Sequence, residues 1–267
     1  MRYFPTVCPR KNICVDEYTL RVRPRFHVPA VNSTADRVEL PEDEAEHLVR
    51  VLRLGVGDEV DVFDGRGGLW RAEIVQVGKK SATVRPLEPG IPAPELGLSF
   101  SLVISVLKGD KIDDVVRDAV MLGVTSIRPI VTERSEISLS TILKSSRVAR
   151  WQRIAVASAK QCGRAVVPPI HDATPVERYW NEQPTGTRIM CVEPTAALGE
   201  VFPVQSVARP SAADLIVGPE GGWAMAEVAA AHDSGAILMS LGSRTLRADA
   251  VPIVALTALL TTWSELR

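Results

Sequence analysis

The chain has 267 residues, a formal charge of −1, and 46% hydrophobic against 24% charged residues. That is a globular balance with room for one large domain or two smaller ones. Near-neutrality excludes a global basic field, so any nucleic-acid surface has to be local.

Residues 1–24 mix charges and prolines with little periodicity and read as an extension, ill-ordered and without the apolar core of a secretory signal. Residues 25–87 read as a small β-barrel. The stretch 58–65 alternates polar and apolar residues and ends in Asp64-Gly65, then Gly67-Gly68, a turn signal. Residues 69–77 alternate again, Gly78-Lys79-Lys80 turns the chain, and 81–84 follow as a strand. One helix interrupts. Pro41-Glu42-Asp43-Glu44 is an acidic first turn, and Ala45, Leu48, Val49 and Leu52 then fall at helical spacing. Residues 88–97, with three prolines and two glycines, read as a linker.

From residue 98 onward strands alternate with helices, which predicts an α/β domain over 98–267. Its sheet is expected to be mostly parallel, with helices on both faces. Strands are expected at 99–107, 126–131, 166–170, 188–192, 214–217 and 236–241. Helices are expected after Gly109-Asp110 up to Gly123, at 147–161, at 175–181 and at about 250–265. The last starts with Pro252 in its first turn and is apolar on nearly all sides. It is either buried within its own chain or packs on its own sheet with one face and on a second subunit with the other. The apolar stretch 251–260 is broken by Pro252 and Thr257 and is too short to span a bilayer. Cys8, Cys14, Cys162 and Cys191 form no C-x-x-C pair and read as free thiols. A cytoplasmic protein with no membrane partner and no metal site is expected.

Two strand-to-helix loops in the last quarter concentrate polar groups. The first is Gly218-Pro219-Glu220-Gly221-Gly222-Trp223. The second is Leu241-Gly242-Ser243-Arg244-Thr245-Leu246-Arg247. Ligands of open α/β sheets sit at such loops. The first lacks the Lys-Ser/Thr of a P-loop and the spacing of a dinucleotide fold. Its backbone N–H and C=O groups, with Leu241 and Leu246, suit an adenine ring and a neutral ribose better than a triphosphate. A basic segment precedes them. No acid lies between Glu136 and Asp172, while Lys144, Arg147, Arg150, Arg153, Lys160 and Arg164 do, and an anionic partner held through phosphates is expected. His27, His47, His171 and His232 are scattered, with no Ser or Cys partner apparent, which argues against a hydrolytic triad.

These two loops together resemble the knotted SPOUT-type RNA methyltransferases, and more closely the ribosomal RNA small subunit methyltransferase E family. The resemblance extends to Lys108-Gly109-Asp110-Lys111, Leu122-Gly123-Val124, Glu133-Arg134-Ser135 and Arg150-Trp151-Gln152-Arg153-Ile154 with Gln161 and Arg164. In the N-terminal half it includes the run from His47 to Arg53 and Phe63-Asp64-Gly65-Arg66-Gly67. It implies a C-terminal trefoil-knotted sheet, a PUA-like barrel and a homodimer. The cofactor it implies is S-adenosylmethionine. The reaction is methylation of N3 of one uridine of 16S rRNA, within the assembled small ribosomal subunit.

On that basis Gly218, Glu220, Gly221, Leu241, Gly242 and Leu246 are expected to bind the cofactor. Arg247 and Arg244 are expected to be catalytic, polarising a uracil carbonyl. Arg50, Arg53, Arg66, Arg147, Arg150, Arg153 and Arg164 are expected to hold RNA. A methyltransferase acting on tRNA or 23S rRNA, and a non-catalytic RNA-binding protein, are the alternatives. The chain departs from the family pattern at three places. It has Asp249-Ala250 where Glu-Thr is usual. It has Ala224 in place of a helix-capping Ser or Thr, at a cost of about 1 kcal/mol. It has Met121 in place of Glu.

Overall fold

The computed structural model describes residues 23–194 and 200–266. Most of the expected extension, with Cys8 and Cys14, therefore lies outside the described residues. The N-terminal unit runs β1 (Arg25–His27), β2 (Val38–Glu39), α1 (Glu42–Glu46), a π-helical turn (His47–Leu52), β3 (Glu59–Phe63), β4 (Leu69–Val77) and β5 (Ala82–Pro89). Its five strands form one curled sheet in the order β1-β3-β4-β5-β2. The alternation in β3 and β4 puts Val60, Val62, Ala72 and Ile74 inside with Phe26, Leu48 and Val84.

Two expectations shift here. The π-helical turn widens the spacing of the helix after Glu46, so Leu52, expected at helical spacing with Ala45 and Leu48, is exposed beside Val51. The turn stops at Arg53, which sits in the left-handed region at φ 55°. β5 also continues to Pro89, two residues into the expected linker. Glu88 is opposite Arg71 and Pro89 is opposite Trp70 on β4.

The second unit runs β6 (Ser99–Ser105), α2 (Lys111–Met121), β7 (Ser126–Val131), α3 (Leu139–Leu143), α4 (Arg147–Cys162), β8 (Thr174–Pro175), α5 (Val176–Asn181) and β9 (Thr187–Cys191). It continues with β10 (Val201–Pro203), β11 (Ala212–Val217), α6 (Met225–Asp233), β12 (Ile237–Ser240) and α7 (Val251–Thr262). The seven strands are all parallel, in the order β10-β12-β9-β11-β6-β7-β8. Both faces are covered, so the strands read as near-continuous apolar runs. Along β6, Phe100, Leu102 and Ile104 point to α2, α4 and α7, while Val103 points to α5 and α6. β11 divides likewise, Leu215 and Val217 to one side and Ile216 to the other.

The expected strand at 166–170 is absent. Pro168 and Pro169 have no N–H to give a ladder, and only single bridges form, at Val166 and at Ile170. β10, a short edge strand, was not expected. Helix α7 buries Ala255, Leu256, Leu259 and Leu260 against the sheet and leaves Ile253 and Val254 each 40% exposed. No helix among the described residues is long and apolar enough to cross a membrane.

The two units share packing. Phe63 and Leu69 belong to the core of the second unit. Backbone bonds join Gly67 N–H to Ala165 O at 3.1 Å and Val167 N–H to Gly65 O at 2.9 Å.

Candidate active site

β9, β11 and β12 lie side by side in mid-sheet and finish at Cys191, Val217 and Ser240. The loops beyond them, with Lys111 at the start of α2, line a cleft of about 270 Å³. Its lining combines apolar Val192, Val217, Leu241 and Leu246 with charged Lys111, Glu193, Glu220, Arg244, Arg247 and Asp249. Of the expected cofactor residues, Gly218, Glu220, Leu241 and Leu246 line it, as do Arg244 and Arg247. Gly221 and Gly242 do not.

The glycines turn out to serve the loops themselves. A methyl group on Gly218 would lie 2.7 Å from the Trp223 ring. That indole cannot step aside cheaply, because its Nε1–H donates to the Cys191 carbonyl at 2.8 Å. Trp223 thus ties the loop after β11 to the end of β9. Gly221 packs against Arg134, whose Nη1–H donates to the Gly221 carbonyl at 3.1 Å. Gly242 has φ +110°, a conformation that favours glycine.

Two carboxylates set the position of the first loop. Glu220 accepts from Lys111 Nζ at 2.9 Å and from the Lys108 N–H at 3.2 Å. Partial burial pushes its carboxyl up, but these bonds outweigh it and hold it below the usual carboxylate range. Glu227, buried in α6, reaches back to the N–H of Ala224 at 2.9 Å with one oxygen and takes the N–H of Glu133 at 2.8 Å with the other. Half of a capping box therefore survives at Ala224 without a hydroxyl, and the loop after β7 is pinned to the same group.

Arg247 is exposed, and its Nε and Nη2 donate to the two oxygens of Asp249 at 3.1 and 3.3 Å. Its carbonyl accepts from Ala250 and Val251 as α7 begins. Cys191 is buried in the lining, and burial pushes its thiol up to about 12. The sequence pattern assigns none of Cys191, Glu193, Lys111, Trp223 and Glu227 a role in the site, although Lys111 and Trp223 lie inside the motifs it singles out. They enter through strand adjacency and through bonds between distant loops.

The basic helix needs correction. Arg164 is 3% exposed and holds Glu95 through Nε at 3.1 Å and Nη2 at 2.6 Å. Its Nη1 donates to the carbonyls of Val120 and Val124 at the end of α2. It cannot reach an RNA surface; it ties the last turn of α2 to the chain just beyond it. Arg150 faces α2, paired with Asp110 at 3.2 Å and with Asp113. An acid-free stretch of sequence is here neutralised by a neighbouring helix. Arg147 donates to the Gly109 carbonyl at 3.0 Å. Arg153 stays exposed, as do Arg50, Arg53 and Arg66. Arg50 and Arg66 have local acidic partners, Glu46 at 3.7 Å and Asp64 at 3.5 Å. Among the described residues no group of His, Cys, Asp or Glu is placed to hold a metal ion.

An RNA methyltransferase domain family matches residues 94–260, and an RNA methyltransferase PUA domain family matches residues 40–87. A ribosomal RNA small subunit methyltransferase E from Synechocystis is 34% identical over 225 residues, 82% of this chain and 71% of its own. The protein of that name from Bacillus subtilis is 26% identical over 81% of this chain and 87% of its own. Among solved structures, a ribosomal RNA small subunit methyltransferase E from Neisseria gonorrhoeae bound to S-adenosylmethionine superposes with a TM-score of 0.81 at 31% identity. That match covers 90% of this chain and 98% of the other. A Legionella pneumophila methyltransferase in complex with the same cofactor gives 0.79 at 27% identity, over 90% and 98% of the two chains.

Proposed function

The chain belongs to the ribosomal RNA small subunit methyltransferase E family, and from that premise we propose that it methylates N3 of one uridine of 16S rRNA. It is an S-adenosylmethionine-dependent RNA methyltransferase with a PUA-type domain. The observation that carries the reading is the cleft at the ends of β9, β11 and β12, where both glycine-containing loops and both arginines expected to act converge.

The residues present suit the cofactor. Leu241, Leu246, Val192 and Val217 offer apolar contacts for an adenine ring, and Glu193, Glu220 and Asp249 offer carboxylates for its cationic groups. When bound, S-adenosylmethionine supplies an electrophilic methyl group. The protein's part is alignment and charge. Uracil N3 is a weakly acidic imide, and it becomes a nucleophile as its proton passes to water and negative charge spreads onto the ring carbonyls. Arg247, with Arg244 beside it, places guanidinium donors where that charge develops. Asp249 holds Arg247 through both oxygens, which limits the conformations the arginine has to lose. The carboxylate pairs Glu220–Lys111 and Glu227 with the Glu133 and Ala224 N–H groups keep the loops preformed.

Arg50, Arg53, Arg66, Arg147 and Arg153 make up the phosphate-holding surface in this reading. The trefoil knot, a homodimer joined through the Ile253 and Val254 face of α7, action on the assembled small subunit and a cytoplasmic location complete it. The test is methyl transfer to small ribosomal subunits lacking the modification, read by mass spectrometry of 16S rRNA fragments. A single 3-methyluridine is expected. Product in tRNA or 23S rRNA instead, or no transfer with cofactor bound, overturns the assignment.

A further inference from the structure

A second cleft, also of about 270 Å³, lies between the N-terminal unit and α4. His27, Glu44 and His47 line it from one side, Arg153 and Lys160 from the other. Of its lining the methyl-transfer reading uses Arg153 alone, as a phosphate contact, and leaves His27, Glu44, His47 and Lys160 without a role, although His47 heads the His47–Arg53 run that carries part of the family resemblance.

Its chemistry is unusual for an accidental gap. The Glu44 side chain is 7% exposed, and one of its oxygens accepts from Lys160 Nζ at 2.6 Å. Lys160 also sits over the Phe26 ring, 5.3 Å from its centroid, and His47 meets that same ring edge-on at 6.4 Å. The ion pair is thus fixed from below by an aromatic side chain. The lining also carries Asp43, so two acids oppose two cations and the cleft has no net charge to draw in a free phosphate. It combines a desolvated carboxylate, which accepts hydrogen bonds only, with two flat imidazoles and one exposed cation, Arg153.

We propose that this cleft binds one unpaired guanine of the substrate RNA, its Watson–Crick edge donating to Glu44, its ring against His27 and His47, and its phosphate toward Arg153. Proteins read RNA sequence through unstacked bases placed on aromatic faces and bonded along their edges. Of the four bases, guanine alone presents two adjacent donors, N1–H and N2–H, on that edge. Adenine, cytosine and uracil each place at least one acceptor toward the carboxylate, and an acceptor facing a carboxylate is repelled.

The inference rests on the RNA substrate of the preceding reading, and the test separates the two. Fluorescein-labelled pentaribonucleotides UUGUU, UUAUU, UUCUU and UUUUU are titrated against the whole protein. In parallel, the same preparation is assayed for methyl transfer to small subunits. Tighter binding of UUGUU by about tenfold is expected, the size of one good base-edge contact. Glu44→Gln should abolish the preference while affinity for UUUUU stays level, and Arg153→Glu should weaken all four alike. If Glu44→Gln leaves Lys160 unpaired and does not fold, His47→Ala keeps the ion pair and should lower affinity for UUGUU most. Equal binding of all four by an active wild-type protein overturns the guanine cleft and leaves the methyltransferase reading standing. A guanine preference without methyl transfer does the reverse. Retention of the preference in Glu44→Gln, or capture of a peptide in place of RNA, also overturns it.

Discussion

Gly218→Ala is the sharpest probe of how the first cleft is built. The backbone at Gly218 is not in the left-handed region, so an alanine there meets no conformational penalty of its own. The cost is steric. The new methyl would stand 2.7, 2.9 and 3.1 Å from Cε2, Nε1 and Cδ2 of Trp223. The indole has to move by several tenths of an ångström, which strains its bond to the Cys191 carbonyl, worth about 1 kcal/mol. Overpacking adds about 1–3 kcal/mol. A total loss of about 2–4 kcal/mol lowers Tm by roughly 4–16 °C for a domain of this size. Urea unfolding monitored by tryptophan fluorescence gives the stability, and calorimetry with S-adenosylmethionine gives the affinity, expected to fall as the loop shifts. The control is a double-mutant cycle. In a Trp223→Leu background the same Gly218→Ala change should cost about 0.5 kcal/mol or less, because the obstacle is gone. A Gly218→Ala protein within about 0.5 kcal/mol of wild type would refute the packing argument.

Arg247→Ala should lower the methyl-transfer rate at saturating cofactor by about tenfold or more, and a rate within about a factor of two removes the role given to it. Arg164→Leu should destabilise by about 1–3 kcal/mol, since it removes the bonds to the Val120 and Val124 carbonyls and the pair with Glu95, and the folded fraction should keep the wild-type salt dependence of RNA binding. Arg153→Glu should weaken RNA binding more than Arg150→Glu, because Arg150 is already neutralised by Asp110 and Asp113; equal effects in filter binding across a salt series contradict the pairing. Burial is the main force holding the His27 imidazole below its ordinary value of 6.5. The folded state then binds its proton less readily than the unfolded state does, so stability is full above pH 6.5 and falls as pH drops through that value. His27→Gln should flatten this fall in denaturation curves collected from pH 7 to 5, and an unchanged slope would count against the assignment.

The sheet was legible because its chemistry is periodic. Both faces of β6, β9 and β11 are buried, and the resulting apolar runs stand out against polar helix faces. The two glycine-containing loops were legible for a different reason, the joint occurrence of Gly218-Pro219-Glu220 and Leu241-Gly242-Ser243-Arg244. What each glycine does was not legible. The steric demand on Gly218 comes from Trp223 folding back, and that on Gly221 from Arg134, eighty-seven residues earlier. Charge was misread wherever its partner is distant in sequence. Arg164 and Arg150 lie in an acid-free stretch, yet Glu95, Asp110 and Asp113 come to them from other elements. Leu52 falls at helical spacing with the buried Ala45 and Leu48 yet is exposed, because a π-helical turn breaks the 3.6-residue period that the pattern assumes.

Cys191 gives the first cleft a property that matters to any site handling a reactive alkyl donor. The thiolate form of cysteine is the nucleophile, and burial pushes the Cys191 thiol up, which keeps it protonated at neutral pH. A sulfur in the wall of the site is thereby kept silent by its dry surroundings. Hydration of that wall would bring the thiol back toward its ordinary range and expose a nucleophile that competes for the methyl group. The Trp223 indole, bonded to the carbonyl of the same residue, stands against that outcome. Loosening it should therefore show up as alkylated peptide spanning Cys191 as well as in slower turnover on RNA.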